Sequence, residues 1–227
     1  MYDQSRNPVN TNEVLNQKTK ERYSLYAQFY PLLALIAYYV IWRGNIFKHI
    51  QFFKNLINEK SDVLDIATGD GSLTATALAP ETNANVQSLV CLDISPEMLV
   101  KAKKKLKSSN CTFVLGDVGK MPFVDGQFSV ISCFGGLNSF PDVPLALGEM
   151  NRVLSRHGKL RGSVLLLPQS PWRQRRIHQW IEDGYQTQTI TTDKLSKWIL
   201  DAGFEISAET QIGDVVLFEL RKSKDYL

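Results

Sequence analysis

With 227 residues, 44% of them hydrophobic, the chain is long enough for one substantial core and has an ordinary globular composition. Its 26 Lys and Arg against 23 Asp and Glu leave a net charge of +3, too small to imply a nucleic-acid partner. Cys91, Cys111 and Cys133 are odd in number and lack metal-ligand spacing, so they read as reduced core thiols of a cytoplasmic protein without a metal site.

Residues 1–17 are rich in Asn, Gln and Ser and predict a flexible tail. They lack the apolar segment of a cleavable signal. Residues 18–58 predict a helical cap. Aromatics at 23, 26 and 30 recur at the spacing of one helix face. Pro31 then opens an apolar run to Trp42 of about a dozen residues, short of the roughly twenty that a spanning helix needs. The run suits a helix buried over a ligand, plain domain packing, or a helix resting on a membrane surface.

From 59 to 227 the pattern is that of an α/β domain. Residues 62–65 read as a buried strand ending in Asp65, followed by a turn bearing Gly69 and Gly71 and then a helix. Glycine permits φ > 0 and lets a ligand approach the backbone, and nucleotide-like ligands bind at such strand-to-helix turns. A second strand ends in Asp93, about twenty residues on, where an acid can accept from two ribose hydroxyls. Ser95 caps the next helix and Pro96 opens it. A third strand, 112–115, leads to Asp117, and a fourth, 128–134, runs into Gly135 and Gly136. A nicotinamide-binding fold is the alternative, but the turn lacks the G-x-G-x-x-G spacing. Farther on, the sequence predicts a helix at 143–154, a turn at His157 and Gly158, a strand at 159–167 and a helix or cap element at 169–180. A helix at 192–202 stopped by Gly203 and closing strands at 205–210 and 214–220 complete the series.

This ordered series resembles the class I S-adenosylmethionine-dependent methyltransferases over about residues 60–167, and in particular the small-molecule, quinone-biosynthesis type. Asp65-Ile66-Ala67-Thr68-Gly69-Asp70-Gly71 is similar to the family's first motif, with Ala67 at a position usually held by glycine. Leu92-Asp93-Ile94-Ser95 is similar to the ribose-binding motif and Gly116-Asp117-Val118 to the adenine-binding segment. Asn151-Arg152-Val153-Leu154 with His157-Gly158 is similar to the "RVLKPGG" helix-turn-strand. The resemblance implies a Rossmann-like, mostly parallel seven-stranded sheet with a C-terminal antiparallel hairpin and an N-terminal helical cap.

It also implies S-adenosylmethionine as cofactor. Ala67, Gly69 and Gly71 would pass beside its methionine portion, Asp65 would orient that loop or reach the ammonium, and Asp93 with Ile94 would bind the ribose. Asp117 and Val118 would meet the adenine, while Cys133 and Phe134 would border the sulfonium. Tyr23 and Tyr30 are lid contacts on the same reading. Where relatives often carry histidine this chain has Asn138 and Ser139, which places no base there; Asn138 is suited to orienting a substrate oxygen but unable to take a proton. His178 is then the imidazole best placed to act as base, ahead of His49 and His157. The implied reaction is methyl transfer to oxygen or carbon of an apolar quinone-, polyketide-, terpenoid- or lipid-like molecule, with peripheral membrane contact as a further expectation. The alternative is a cofactor-binding protein without transfer activity, or a cyclase that uses the cofactor structurally.

Overall fold

The computed structural model describes residues 11–26, 30–54, 57, 60–79, 83–107 and 110–223; the side chains of 11, 19, 22–26 and 30–34 lie outside the described set. Three helices, α1 (Thr11–Tyr26), α2 (Tyr30–Val40) and α3 (Ile46–Lys54), precede the sheet. Strands β1 (Ser61–Ile66), β2 (Val86–Asp93), β3 (Cys111–Leu115) and β4 (Phe128–Cys133) then alternate with α4 (Ser72–Ala77) and α5 (Pro96–Lys105). After a 3-10 turn at Gly136–Ser139 come α6 (Val143–Val153), β5 (Leu154–Leu165), α7 (Pro171–Glu182), α8 (Thr192–Asp201), β6 (Phe204–Ile212) and β7 (Val215–Lys222).

The seven strands lie in the order β3-β2-β1-β4-β5-β7-β6. The first five are parallel, while β7 runs antiparallel to both β5 and β6. This is the expected mostly parallel sheet with its closing hairpin. The chain leaves β1 toward β3 and returns to β4 on β1's other side, so the order reverses between β1 and β4. At such a point the connections diverge and open a crevice beyond the strands' carboxyl ends.

Side-chain alternation along the strands divides the core into two faces. Leu64 and Ile66 of β1 and Val216, Phe218 and Leu220 of β7 pack with Met150 of α6 and Ile199 of α8. On the other face Val63 meets Phe53 of α3, Ala77 of α4 and Ala102 of α5. Val215 and Leu217 of β7 meet Tyr38, Ile41 and Trp42 near α2 and Ile177 of α7. Burial on both faces explains why β1 reads as a near-continuous apolar run.

Two boundaries differ from the sequence reading. Helix α1 begins at Thr11 and takes in part of the segment assigned to a flexible tail. Leu15, Gln17, Lys18 and Glu21 are good helix formers, and Gln17 donates to Glu21 one turn on at 2.7 Å. His157 lies within β5 and not in a turn ahead of it. Phe128 pairs with Leu154 but Val130 pairs with Lys159, so the four residues 155–158 of β5 stand opposite Ser129 alone, an excess of three that the ladder accommodates as a bulge-like irregularity. His157 is exposed there.

Loop 117–126 is held by two side chains of α6. Arg152 donates to the carbonyls of Met121 and Phe123 at 3.1 and 2.7 Å, and to Asp125 and Glu149. Glu149 in turn accepts from the Met121 N–H at 2.8 Å. The Arg of the Asn-Arg-Val-Leu segment therefore fixes the loop that follows Asp117.

Candidate active site

A cavity of about 120 Å³ opens where β1, β2, β3 and β4 end. Its wall contains Ala67 and Gly69 from the first turn, Asp93, Ile94 and Ser95 from the second, and Gly116, Asp117 and Val118 from the third. Phe134, Gly135, Gly136, Ser139 and Phe140 close the β4 side, and Asn16 of α1 lies across it. Four chain segments far apart in sequence thus meet because parallel strands all end on one edge.

The first turn is built on a buried acid. Asp65 is fully buried and accepts from three hydroxyls: Thr68 at 2.7 Å, Thr74 at 2.6 Å and Ser132 at 2.5 Å. Burial pushes its carboxyl up to about 6 against the opposing pull of those hydroxyls. Asp65 does not line the cavity; its carboxylate is enclosed by hydroxyls of β1's own loop, α4 and β4. This narrows the sequence expectation to loop orientation and removes direct contact with a ligand ammonium.

Glycine has different reasons at its two positions. Gly69, at φ 57°, would point a Cβ into open space, so its bare backbone borders the cavity. Gly71 instead packs against α5, where a Cβ would come within 2.9 Å of Ala102 Cα. The expectation that Gly71 passes beside a ligand is therefore corrected: it is needed for helix packing. Ala67 lines the cavity at φ 55°, a left-handed conformation that costs a non-glycine residue roughly 1–2 kcal/mol and accounts for glycine being usual in the resembled motif.

Asp93 joins the first two turns. Its Oδ2 accepts the Gly69 N–H at 2.8 Å and its Oδ1 the Ser95 N–H at 2.9 Å. Burial raises its pKa, partly offset by those N–H groups and that of Ile94. Each carboxylate oxygen retains a second lone pair. Asp117 also lines the cavity, its Oδ1 accepting from Gly119 N–H at 2.8 Å and its Oδ2 from the Asn16 amide at 2.6 Å. Helix α1 is tied at its other flank, where Lys18 donates to the Glu182 carbonyl at 2.6 Å. Asn16 places α1 against the cavity wall.

Strand alternation separates Cys133 from Phe134. Phe134 lines the cavity, stacks on Phe53 at 3.9 Å and lies 5.8 Å from the His49 ring. Cys133 faces the α6 side of the core, fully buried, with burial pushing its thiol up to about 12. Its predicted place beside a sulfonium is not borne out.

Both substrate-side expectations also change. Asn138 is buried and its amide is fully engaged with one backbone unit. It donates to the Leu165 carbonyl at 2.8 Å and accepts the Leu165 N–H at 2.9 Å. It ties the 3-10 turn to the end of β5 and is absent from the cavity wall, so the structure does not bring it to where it would orient a substrate. His178 is exposed on α7 and is absent from the cavity wall; the three-and-four spacing turns Ile177 inward and leaves the imidazole in solvent. Tyr23 and Tyr30 have side chains outside the described residues. Asn16, Ser139 and Phe140 are wall residues that sequence reasoning missed. Asn16 sat in an unpatterned polar stretch, and the other two in a turn with no periodicity.

The residues fit a nucleoside bearing a charged amino-acid tail. Two carboxylates, Asp93 and Asp117, share the cavity wall with apolar Leu92, Met98 and Val118, and glycine backbone borders it at 69 and 116. At Gly116 a Cβ would come within 2.9 Å of Leu92 Cδ1, so the bare backbone there lets Leu92 pack against it.

The family model described as "Methyltransferase domain" matches residues 57–198. Two curated relatives are similar. A ubiquinone/menaquinone biosynthesis C-methyltransferase, UbiE, from Rickettsia typhi is 36% identical over 115 residues, 48% of this chain and 46% of the relative. A demethylmenaquinone methyltransferase from Deinococcus radiodurans is 30% identical over 162 residues, 70% of this chain and 65% of the relative. The chain thus spans about half to two thirds of the length of these relatives. Among solved structures, a SAM-dependent methyltransferase from Thermotoga maritima has a TM-score of 0.67 at 16% identity, covering 90% of this chain and 100% of its own. The fold is shared with that structure. The chain belongs to the methyltransferase-domain family. Membership, with the class I fold, makes S-adenosylmethionine its cofactor.

Proposed function

We propose that the chain methylates a ring carbon of an apolar, quinone-type small molecule, using S-adenosylmethionine. The cofactor supplies a methyl group already activated on sulfonium, which leaves the protein to hold, orient and exclude water. Asp93 holds the ribose diol, Asp117 the adenine amino group, and the Val118 side chain the face of the purine. The Ala67–Gly69 backbone runs beside the methionine portion, and Phe134 shields the transfer site from water.

The observation that carries the reading is the cavity's polar inventory. The described wall offers Asn16, Asp93, Ser95, Asp117 and Ser139 but no His, Cys, Lys or Arg. A neutral amine or alcohol acceptor would want a base there. An electron-rich ring whose own oxygens ionise does not: the ring carbon would bond to the methyl as the methyl–sulfur bond breaks, its electron pair staying on sulfur as a neutral thioether. The proton displaced from that carbon would pass to the ring's own ionised oxygen. The names of the curated relatives, a C-methyltransferase and a demethylmenaquinone methyltransferase, support carbon and a quinone-type acceptor.

The test is transfer of isotope-labelled methyl from S-adenosylmethionine to reduced demethylquinones, simple phenols and fatty acids, with products resolved by mass spectrometry and NMR. A new carbon-bound methyl on the quinol supports the reading. Tight cofactor binding with no transfer to any acceptor would return the chain to a cofactor-binding role.

A further inference from the structure

The α2–α3 corner exposes apolar side chains at a density that a solvated surface does not explain. On α2, Leu35, Ile36, Tyr39 and Val40 are 39–55% exposed, and at the start of α3 Phe47 is 77% exposed. The α2 positions recur at intervals of three to five and occupy one helix face. The opposite side of the same segment, Tyr38, Ile41 and Trp42, is buried against β7 and α7. The helix is therefore apolar on both sides, although among the described residues only one side is covered.

Within the segment that builds this corner the charge has one sign. No Asp or Glu occurs between Glu21 and Glu59, whereas Arg43, Lys48 and Lys54 are exposed. Helix α7 adds to this rim. It is fixed against α2 by Trp180 stacked on Trp42 at 5.3 Å and by Arg173 donating to the Ile41 carbonyl at 2.9 Å. Arg173 is itself buried and paired with Asp214, but Trp172, Arg175 and Arg176 face solvent. An apolar centre with an aromatic at its edge and a cationic rim is complementary to an anionic bilayer surface. A second copy of the chain would bring the same cations against themselves.

We propose that the α2–α3 corner and the exposed face of α7 dock this protein on a membrane containing anionic lipid. Phe47, Ile36 and Val40 enter the boundary between headgroups and acyl chains, while Arg43, Lys48, Arg175 and Arg176 meet the phosphates. The docked helices also touch the cavity wall: Tyr38 lies 3.0 Å from His49 Nδ1, and the His49 ring packs against Phe134. Docking therefore sets the β4 side of the cavity beside the lipid, where an apolar acceptor dissolves. The inference rests on surface features alone and stands or falls apart from the choice of acceptor.

The experiment is co-sedimentation of the full chain with phosphatidylglycerol-containing vesicles and with pure phosphatidylcholine vesicles, at low and high salt. Wild type, Phe47→Glu and the double variant Arg175→Glu with Arg176→Glu are compared, and cofactor affinity is measured for each. We expect wild type to bind the anionic vesicles, binding to fall with salt, and each variant to bind at least about tenfold more weakly with unchanged cofactor affinity. Equal binding of wild type and both variants, or no binding by wild type, overturns the proposal. So does a concentration-dependent dimer, seen by analytical ultracentrifugation without lipid and dissolved by Phe47→Glu, because the face would then belong to a second copy.

Discussion

Asp93→Asn separates cofactor recognition from fold maintenance. The substitution keeps the shape and removes the charge. If Asp93 accepts two ribose hydroxyls, each charge-assisted bond contributes about 1.5–3 kcal/mol, and a neutral amide that accepts only one of them forfeits about 3 kcal/mol. That is a loss of about 100-fold in affinity. The effect on the fold is smaller. The carboxylate holds the Gly69 and Ser95 N–H groups, and an amide oxygen can keep one, leaving the other facing an NH2 group. Against that penalty of about 1–3 kcal/mol stands relief of a buried charge, visible in the raised pKa of Asp93. The net loss is about 1 kcal/mol, or about 2–4 °C in Tm for a chain of this size. Calorimetric titration with S-adenosylhomocysteine, beside thermal unfolding of the free protein, measures both. An affinity within threefold of wild type would refute the ribose assignment. A collapse of Tm would show that Asp93 is chiefly a staple for the two turns.

Asn16→Ala should raise the cofactor Kd about fivefold, mainly through a faster off-rate in stopped-flow, because it frees α1 from Asp117. Tighter binding would mean instead that the Asn16 amide occupies the place of the adenine amino group. Gly136→Ala would bring a Cβ within 2.7 Å of Phe140 and 2.8 Å of Ala67, so it should cost about 1–3 kcal/mol in chemical denaturation and weaken cofactor binding. The pH dependence of stability between about 6.5 and 4.5 should be nearly flat, because burial lowers His49 from 6.5 to about 4 and raises Asp65 from 3.8 to about 6. The first loses stability as pH falls below the unfolded value and the second gains it below its folded value, each approaching about 3 kcal/mol over its range. His49→Gln should thus become more stable on acidification over this window and Asp65→Asn less stable, as read from denaturant midpoints; parallel curves for the two variants would sink the reasoning.

The sheet was legible in the sequence because both of its faces are buried. Runs such as 128–133 can be little else when helices cover them twice, and each run ends in an acid or a glycine turn at the edge where ligands bind. Asp93 and Asp117 could be placed by position along their strands alone. Position does not reveal which way a side chain points once the chain turns, and there the reading failed. Cys133 and Phe134 are neighbours at one strand tip, yet one enters the core and the other the cavity. Gly69 and Gly71 look alike in a motif, yet one faces ligand space and the other Ala102.

The cap was the least legible part, and the reason is physical. Asn16 contacts Asp117 across 101 positions, and no periodicity encodes such a contact. The apolar run from Pro31 to Trp42 is uniform, so it carries no signal for which side meets protein; only packing against β7 and α7 decides that. Uniform apolarity would be wasteful in a helix with one side in water, since an amphipathic stripe suffices to hold it. That Ile36, Val40 and Phe47 remain apolar where nothing in the described chain covers them is thus the same fact that made the cap unreadable. A sequence written to be buried twice loses its pattern, and here the described chain supplies only one of the two covers.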